Sequence, residues 1–225
     1  MTALPQNFAR FIDHTMLRVN ATEQDIRAVC AQALEYRFWG AVVNPVWVRL
    51  ASELLVGSPV KVVSVAGFPL GANRTDIKVS EAAEAVEDGA LEIDMVANIG
   101  WLCADRFLDA ETEIRKVRRN LPSTAALKVI IEAGQLSHTQ QQDAVKAAIN
   151  AGVQYVKTAT GSFGAVTVEQ VRTLVEAAGG QIEIKASGGI RRFSECLALL
   201  EVGATRIGTS ASVEIMAQHK AATSG

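Results

Sequence analysis

Two lysines occupy positions where a folded chain rarely tolerates an ammonium: Lys157 in Tyr155-Val156-Lys157-Thr158 and Lys185 in Ile184-Lys185-Ala186-Ser187. Each lies in a short apolar, β-branched run that reads as a buried strand. An ammonium taken out of water is costly unless it is paired or gives up its proton. Asp94, in Ile93-Asp94-Met95, puts a carboxylate in a third such run. Strand alternation turns all three away from their neighbours and toward one interior. A lysine beside a second ammonium in a partly dry site becomes a nucleophile near neutral pH, because like charge and desolvation both disfavour its charged form. It can add to an aldehyde, lose water and form a protonated Schiff base, an electron sink for the adjacent carbon–carbon bond. Asp94, ionised beside an ammonium, can then move protons directly or through water. A buried ion pair without chemistry explains any one of these lysines as well; three charges in separate apolar strands favour a site.

Such residues need strands to carry them, and the chain alternates short apolar runs with amphipathic stretches throughout. Strands are expected near 11–15, 40–44, 61–67, 92–98, 127–132, 155–160, 183–187 and 205–208. Helical periodicity fills the gaps: Thr22 caps a stretch to about Arg37, another runs over 74–88 to Gly89, and Ser137 or His138 opens one ending at Gly152. Repeated strand-then-helix order with buried strands predicts parallel pairing. About eight units in 225 residues favour an α/β fold of the single (β/α)8 barrel type over an open doubly wound sheet, whose GxGxxG turn is missing. One domain over 1–225 is expected, with a disordered tail from about 217.

Composition narrows the partners. Apolar residues make up 49%, charged residues 20%, and the net charge is −2, so there is no basic field for nucleic acid or anionic lipid, and a small-molecule substrate is expected. Cys30, Cys103 and Cys196 are far apart and His14, His138 and His219 do not cluster, so no metal or cofactor is expected. Residues 1–6 lack a leader pattern and no apolar run approaches the roughly 20 residues that span a bilayer. Cytoplasmic residence is the expectation.

In a barrel of this type the functional face is the C-terminal end of the strands. Ser187-Gly188-Gly189-Ile190-Arg191 and Gly208-Thr209-Ser210-Ala211 fall there, after the last two strands. Turns presenting N–H groups, the second at a helix N-terminus, suit a phosphate; an ordinary Gly-Gly turn is the plainer reading. Arg191 either adds a charge-assisted contact or simply opens the next helix.

Seven motifs in one order carry a resemblance. They are Ile12-Asp13-His14-Thr15-Met16-Leu17, Gly67-Phe68-Pro69-Leu70-Gly71-Ala72-Asn73, Glu92-Ile93-Asp94-Met95-Val96, Lys128-Val129-Ile130-Ile131-Glu132, Val156-Lys157-Thr158-Ala159-Thr160-Gly161, Ile184-Lys185-Ala186-Ser187-Gly188-Gly189-Ile190-Arg191 and Arg206-Ile207-Gly208-Thr209-Ser210. Over nearly its whole length the chain resembles the deoxyribose-phosphate aldolases, class I aldolases of the barrel type. The resemblance implies reversible cleavage of 2-deoxy-D-ribose 5-phosphate to D-glyceraldehyde 3-phosphate and acetaldehyde, without metal. It makes Lys157 the Schiff-base lysine, Lys185 the ammonium that lowers its pKa and Asp94 the proton relay. Phosphate binding falls on Gly161, Gly188, Gly189, Gly208 and Ser210, with Asp13 and Thr15 near the sugar hydroxyls and Thr160 among the substrate contacts. A homo-oligomer, commonly a dimer, is implied. Alternatives are the same mechanism on another phosphorylated sugar, or a barrel that only binds a sugar phosphate.

Some positions depart from the family pattern. Val43 stands where many relatives carry cysteine, and Ser162-Phe163 replaces a run in which an aromatic directly follows the glycine. Without that thiol the protein should withstand acetaldehyde better than cysteine-bearing relatives; rapid loss of activity during incubation with acetaldehyde would refute this. Lys128 and Glu132 share a strand face and are expected to form an ion pair in the barrel, which either supports the two lysines or is purely structural. His14 is expected to fix the first strand end by a hydrogen bond, and Trp39, Trp47 and Trp101 to serve packing or subunit contacts. Glu111, Glu113, Arg115, Lys116, Arg118 and Arg119 read as a solvated helix face.

Overall fold

Capping residues written into the sequence delimit several of the helices. Thr22 accepts from Asp25 N while the Asp25 carboxylate reaches back to Thr22 N, and Ser137–Gln140 and Thr167–Gln170 repeat the reciprocal arrangement. Gly152 and Gly179 end two helices in the left-handed conformation. The computed structural model describes residues 7–223. Its strands are β1 (Ile12–Met16), β2 (Gly40–Val43), β3 (Lys61–Ala66), β4 (Glu92–Val96), β5 (Ala126–Ile130), β6 (Tyr155–Lys157), β7 (Glu183–Ser187) and β8 (Arg206–Thr209). The helices are α1 (Glu23–Tyr36), α2 (Val48–Leu55), α3 (Thr75–Glu87), α4 (Ile99–Cys103), α5 (Phe107–Arg119), α6 (His138–Ala151), α7 (Val168–Ala178), α8 (Phe193–Glu201) and α9 (Ser212–Thr223).

All eight strands pair in parallel in chain order, and β8 closes onto β1. The open-sheet alternative is thereby excluded. Five strands stop short of their expected C-terminal ends, at Val43, Ala66, Val96, Ile130 and Lys157. Gly67 at φ 65° and Glu132 at φ 50° turn the chain out of the sheet, and extended pairing cannot continue through a left-handed residue.

The main apolar core holds outward-facing strand residues such as Ile93, Met95, Leu127, Val156 and Ile207 together with Ile26, Ile114 and Leu174 of the helices. A separate cluster of Val42, Val63 and Val65, with Leu17 and Phe68 against it, fills the β2–β3 side of the barrel interior. The β4–β8 side of that interior is charged.

The tail departs from expectation. Instead of disorder from about 217, α9 continues to Thr223, and residues 224–225 lie outside the described residues. Gln218 accepts from Phe193 N at 2.9 Å, and His219 packs its ring on Phe8 and Phe193 with centroids 5.2 and 5.0 Å apart. Such contacts tie the last turns of an otherwise exposed, alanine-rich helix to the body of the barrel. Among the described residues no helix is long and apolar enough to cross a membrane.

Candidate active site

Strand register brings the charged residues together. Lys157 of β6 lies beside Lys185 of β7, Asp94 of β4 beside Lys128 of β5, and Asp13 of β1 beside Gly208 of β8. Partners in neighbouring parallel strands point the same way, so the side chains converge in the barrel. Asp94 is their centre: Oδ2 accepts from Lys157 Nζ at 2.8 Å and Lys185 Nζ at 2.7 Å, and Oδ1 from Lys128 Nζ at 2.9 Å. Lys185 also donates to Asp13, whose other oxygen receives Arg206 at 3.3 Å. Gly208 makes room for this, since a Cβ there would lie 3.1 Å from Lys185 Cε.

The two lysines that share Asp94 with Lys185 are driven apart electrostatically. For Lys157, burial pushes the pKa down and the Lys185 and Lys128 charges add to it, together outweighing the upward pull of Asp94; it falls to about 8. For Lys128, burial also pushes down, but the carboxylates of Asp94, Glu92 and Asp13 outweigh it and hold the ammonium above its ordinary range. Burial pushes the Asp94 carboxyl up, yet the charges of Lys128, Lys157 and Lys185 hold it well below its usual value. Groups whose environments separate their pKa values can take separate acid and base roles. Lys157 is the member that sheds a proton, and it is the one that meets open space.

That space is a cavity of about 550 Å³ over the C-terminal ends of the strands, reaching Lys157. Thr15, Thr160, Gly161, Gly188, Gly189, Gly208 and Ser210 line it, as does Arg191, which is exposed. Glycine is required where two loops meet: Gly188 has φ 109°, and a Cβ there would lie 3.2 Å from Gly164 O and 3.3 Å from Ala159 Cβ. The turn at 208–210 leads into α9, whose N-terminus carries the positive end of the helix dipole. Lys185, Asp94 and Lys128 are completely buried beneath the cavity.

Three expectations need correction. Asp13 does not line the cavity; it is fully buried, bound to Lys185 and Arg206, because its strand position is one layer deeper than Thr15. Lys128 does not pair with Glu132. Its ion pairs are with Asp94 and, at 2.6 Å, with Glu92, whereas Glu132 lies past the strand end and accepts from Thr160 N and Oγ1 at 3.0 and 2.8 Å. Glu113 is no part of a solvated face: it is buried against Lys78. His14 does hold its strand end, with Nδ1 3.0 Å from Ser212 Oγ and Nε2 2.8 Å from Gln32 Oε1. Trp39 closes the opposite end of the barrel, donating to Glu92 at 2.8 Å under the Arg206 guanidinium. Phe68 is a cavity residue that charge and spacing do not single out; its signals are its place directly after a strand-end glycine and its membership of the motif at 67–73. Among the described residues no group of three or more His, Cys, Asp and Glu side chains is placed to hold a metal.

No family model matches the chain. Individual relatives do. The deoxyribose-phosphate aldolase of Carboxydothermus hydrogenoformans is 46% identical over 212 residues, covering 92% of this chain and 93% of the relative. That of Natranaerobius thermophilus is 46% identical over 211 residues, covering 93% and 96%. The tetrameric deoxyribose phosphate aldolase of Aeropyrum pernix superposes with a TM-score of 0.85 at 32% identity, over 94% of this chain and 90% of that one. With identity of this extent carried over a barrel of the same shape, the chain belongs to the deoxyribose-phosphate aldolase family.

Proposed function

We propose that this chain is a Schiff-base aldolase that reversibly cleaves 2-deoxy-D-ribose 5-phosphate to D-glyceraldehyde 3-phosphate and acetaldehyde. The observation that carries the reading is a lysine with its pKa lowered to about 8, opening into a cavity whose far wall is built of glycine turns. At pH 7 about one Lys157 in ten is neutral, against about one in 3,000 for an ordinary lysine. Its amine adds to C1, and loss of water leaves a protonated imine. As the C3 hydroxyl gives up its proton, the C2–C3 bond breaks: its electrons pass into the iminium, giving an enamine, and C3 leaves as the new aldehyde. Protonation of the enamine at C2 and hydrolysis then release acetaldehyde and restore Lys157.

Lys185 serves as the neighbour whose charge lowers the Lys157 pKa. Asp94 balances the cationic imine and relays protons with water; a carboxyl held this acidic carries a proton only in passing. Lys128 supports Asp94 from below. Gly161, Gly188, Gly189, Gly208 and Ser210 receive the phosphate through backbone N–H and hydroxyl groups, and Thr15 and Thr160 face the sugar. Asp13 acts by holding Lys185 rather than by touching sugar. No cofactor enters this scheme.

A same-mechanism aldolase for another phosphorylated sugar is the second reading, favoured by Ser162 in the cavity wall and the exposed Phe163 beside it. A homo-oligomer, smallest as a dimer, is the proposed assembly, and light scattering on the purified protein decides it. A cytoplasmic setting fits three free cysteines, two of them buried.

Borohydride trapping with acetaldehyde, read by intact mass and peptide mapping, should place a reduced two-carbon adduct on Lys157. Folded protein without the adduct would sink the aldolase reading in favour of a sugar-phosphate binder. Turnover of deoxyribose 5-phosphate against other phosphorylated sugars separates the two aldolase readings.

A further inference from the structure

Outside the barrel, between α3 and α5, Lys78 and Glu113 form an ion pair with Nζ 2.9 Å from Oε2 and both side chains out of solvent. Burying two charges brings no clear gain in stability over a well-packed apolar pair. What this pair does hold is loop backbone. Glu113 also accepts from Asn98 N at 3.1 Å, just past β4, and from Thr75 Oγ1 at 3.3 Å. The Lys78 stem lies directly against Gly67, where a Cβ would come within 2.9 Å of Lys78 Cε.

Glu81, farther along the same helix, accepts from Gly67 N at 2.7 Å. Gly71 N donates to Gly67 O at 2.8 Å and closes the loop, which is pressed so tightly on β4's end that a Cβ at Gly71 would lie 2.0 Å from Ala97 O. The loop carries Phe68. Its ring packs on Val42, Val63 and Val65 inside the barrel, with its centroid 6.0 Å from Lys157 Nζ.

The geometry points to Lys78, Glu81 and Glu113 as positioning residues that fix the 67–71 loop so that Phe68 keeps water from Lys157. This rests on Lys157 being the Schiff-base amine. The groups facing Lys157 from the other elements are Asp94 of β4, Lys128 of β5 and Lys185 of β7, and the variants below leave all three in place. Burial is the largest influence on Lys157, and the ring stands at the outer limit of cation–π attraction. Letting water past Phe68 therefore raises the pH at which Lys157 becomes reactive.

The test is the pH dependence of the initial rate of acetaldehyde trapping on Lys157, with thermal melting measured alongside. Proteins compared are the native chain, Lys78→Met, Glu81→Ala, Phe68→Leu and the double variant Lys78→Met with Phe68→Leu. Lys78→Met and Glu81→Ala should each move the midpoint up by about one pH unit. Phe68→Leu should move it at least as far, and Lys78→Met should add nothing in that background. An unchanged midpoint in folded Lys78→Met or Glu81→Ala, whatever the melting temperature, overturns the inference and leaves a purely structural pair. Independent, additive shifts overturn it too, since the pair would then act by another route than Phe68. Should Lys78→Met not fold, the half-buried Glu81 decides through Glu81→Ala. A native protein that traps nothing on Lys157 is a different result, and defeats the Schiff-base reading itself.

Discussion

Lys157→Leu should lose covalent capture of acetaldehyde and lower turnover on the order of 10⁴-fold or more, yet unfold no more readily than the native protein at pH 7. The two halves have one cause. In the folded chain Lys157 titrates at about 8, against 10.5 for an unperturbed lysine. Between those values the unfolded state binds more protons, so native stability rises as pH increases from about 8 to 10.5; below 8 the buried ammonium costs the fold about 3 kcal/mol. Leucine removes that charge and lies near the Phe68 ring, while Asp94 keeps the ammonium groups of Lys128 and Lys185. Urea denaturation of both proteins at pH 7 and pH 9.5 measures it: the native chain should gain stability across that interval relative to the variant. A variant that is inactive and also several kcal/mol less stable at pH 7 would mean that Lys157 is structural.

Asp94→Asn should damage both properties at once. An asparagine has one carbonyl oxygen where three ammonium groups now share two carboxylate oxygens, and its NH₂ points a donor at another donor. Breaking a buried pair from one side costs about 3–5 kcal/mol, roughly 10 °C in melting temperature for a chain of this size. Turnover should fall roughly 10²–10⁴-fold through loss of the proton relay and of the counter-charge to the imine. The pH window follows from the depressed carboxyl. Its stabilisation is present above the unfolded value of 3.8 and is lost as pH falls through the lower folded value. Glu92, where burial opposes and the Lys128 charge leads the fall to about 2, shares that window. Melting followed from pH 7 to pH 3 should show the native protein losing its advantage over the variant on the acid side. Equal melting temperatures at pH 7 would contradict the central place of Asp94 in the network.

The contrast between Lys157 and Glu113 shows where sequence reading succeeds and stops. A lysine in Tyr155-Val156-Lys157 breaks a strong local pattern, so its oddity is visible without neighbours. Glu113 sits among Glu111, Arg115, Lys116, Arg118 and Arg119, and helical periodicity cannot distinguish a charge facing solvent from one facing a buried Lys78. Lys128 was legible as a buried charge, but its partner was not. Glu132 shares its strand face by alternation, while closure of the barrel brings Asp94 and Glu92 of the neighbouring strand nearer. Asp13 lies one layer deeper than a sugar contact requires, a depth set by how strands tilt and stagger in a closed barrel. The end of α9 is not legible locally, because His219 packs on Phe8 and Phe193, distant in sequence.

The sequence alone determined what local chemistry can dictate: eight strand-and-helix units, the helix caps, the strands that hide a charge, and the glycines at their ends. Each depends on residues within a turn or two along the chain. Tertiary structure decided the rest: which carboxylate each lysine meets, that burial lowers the pKa of Lys157, and which side chains reach the cavity. Those depend on strand register and on summed burial and charge from several strands, quantities that exist only once the barrel has closed.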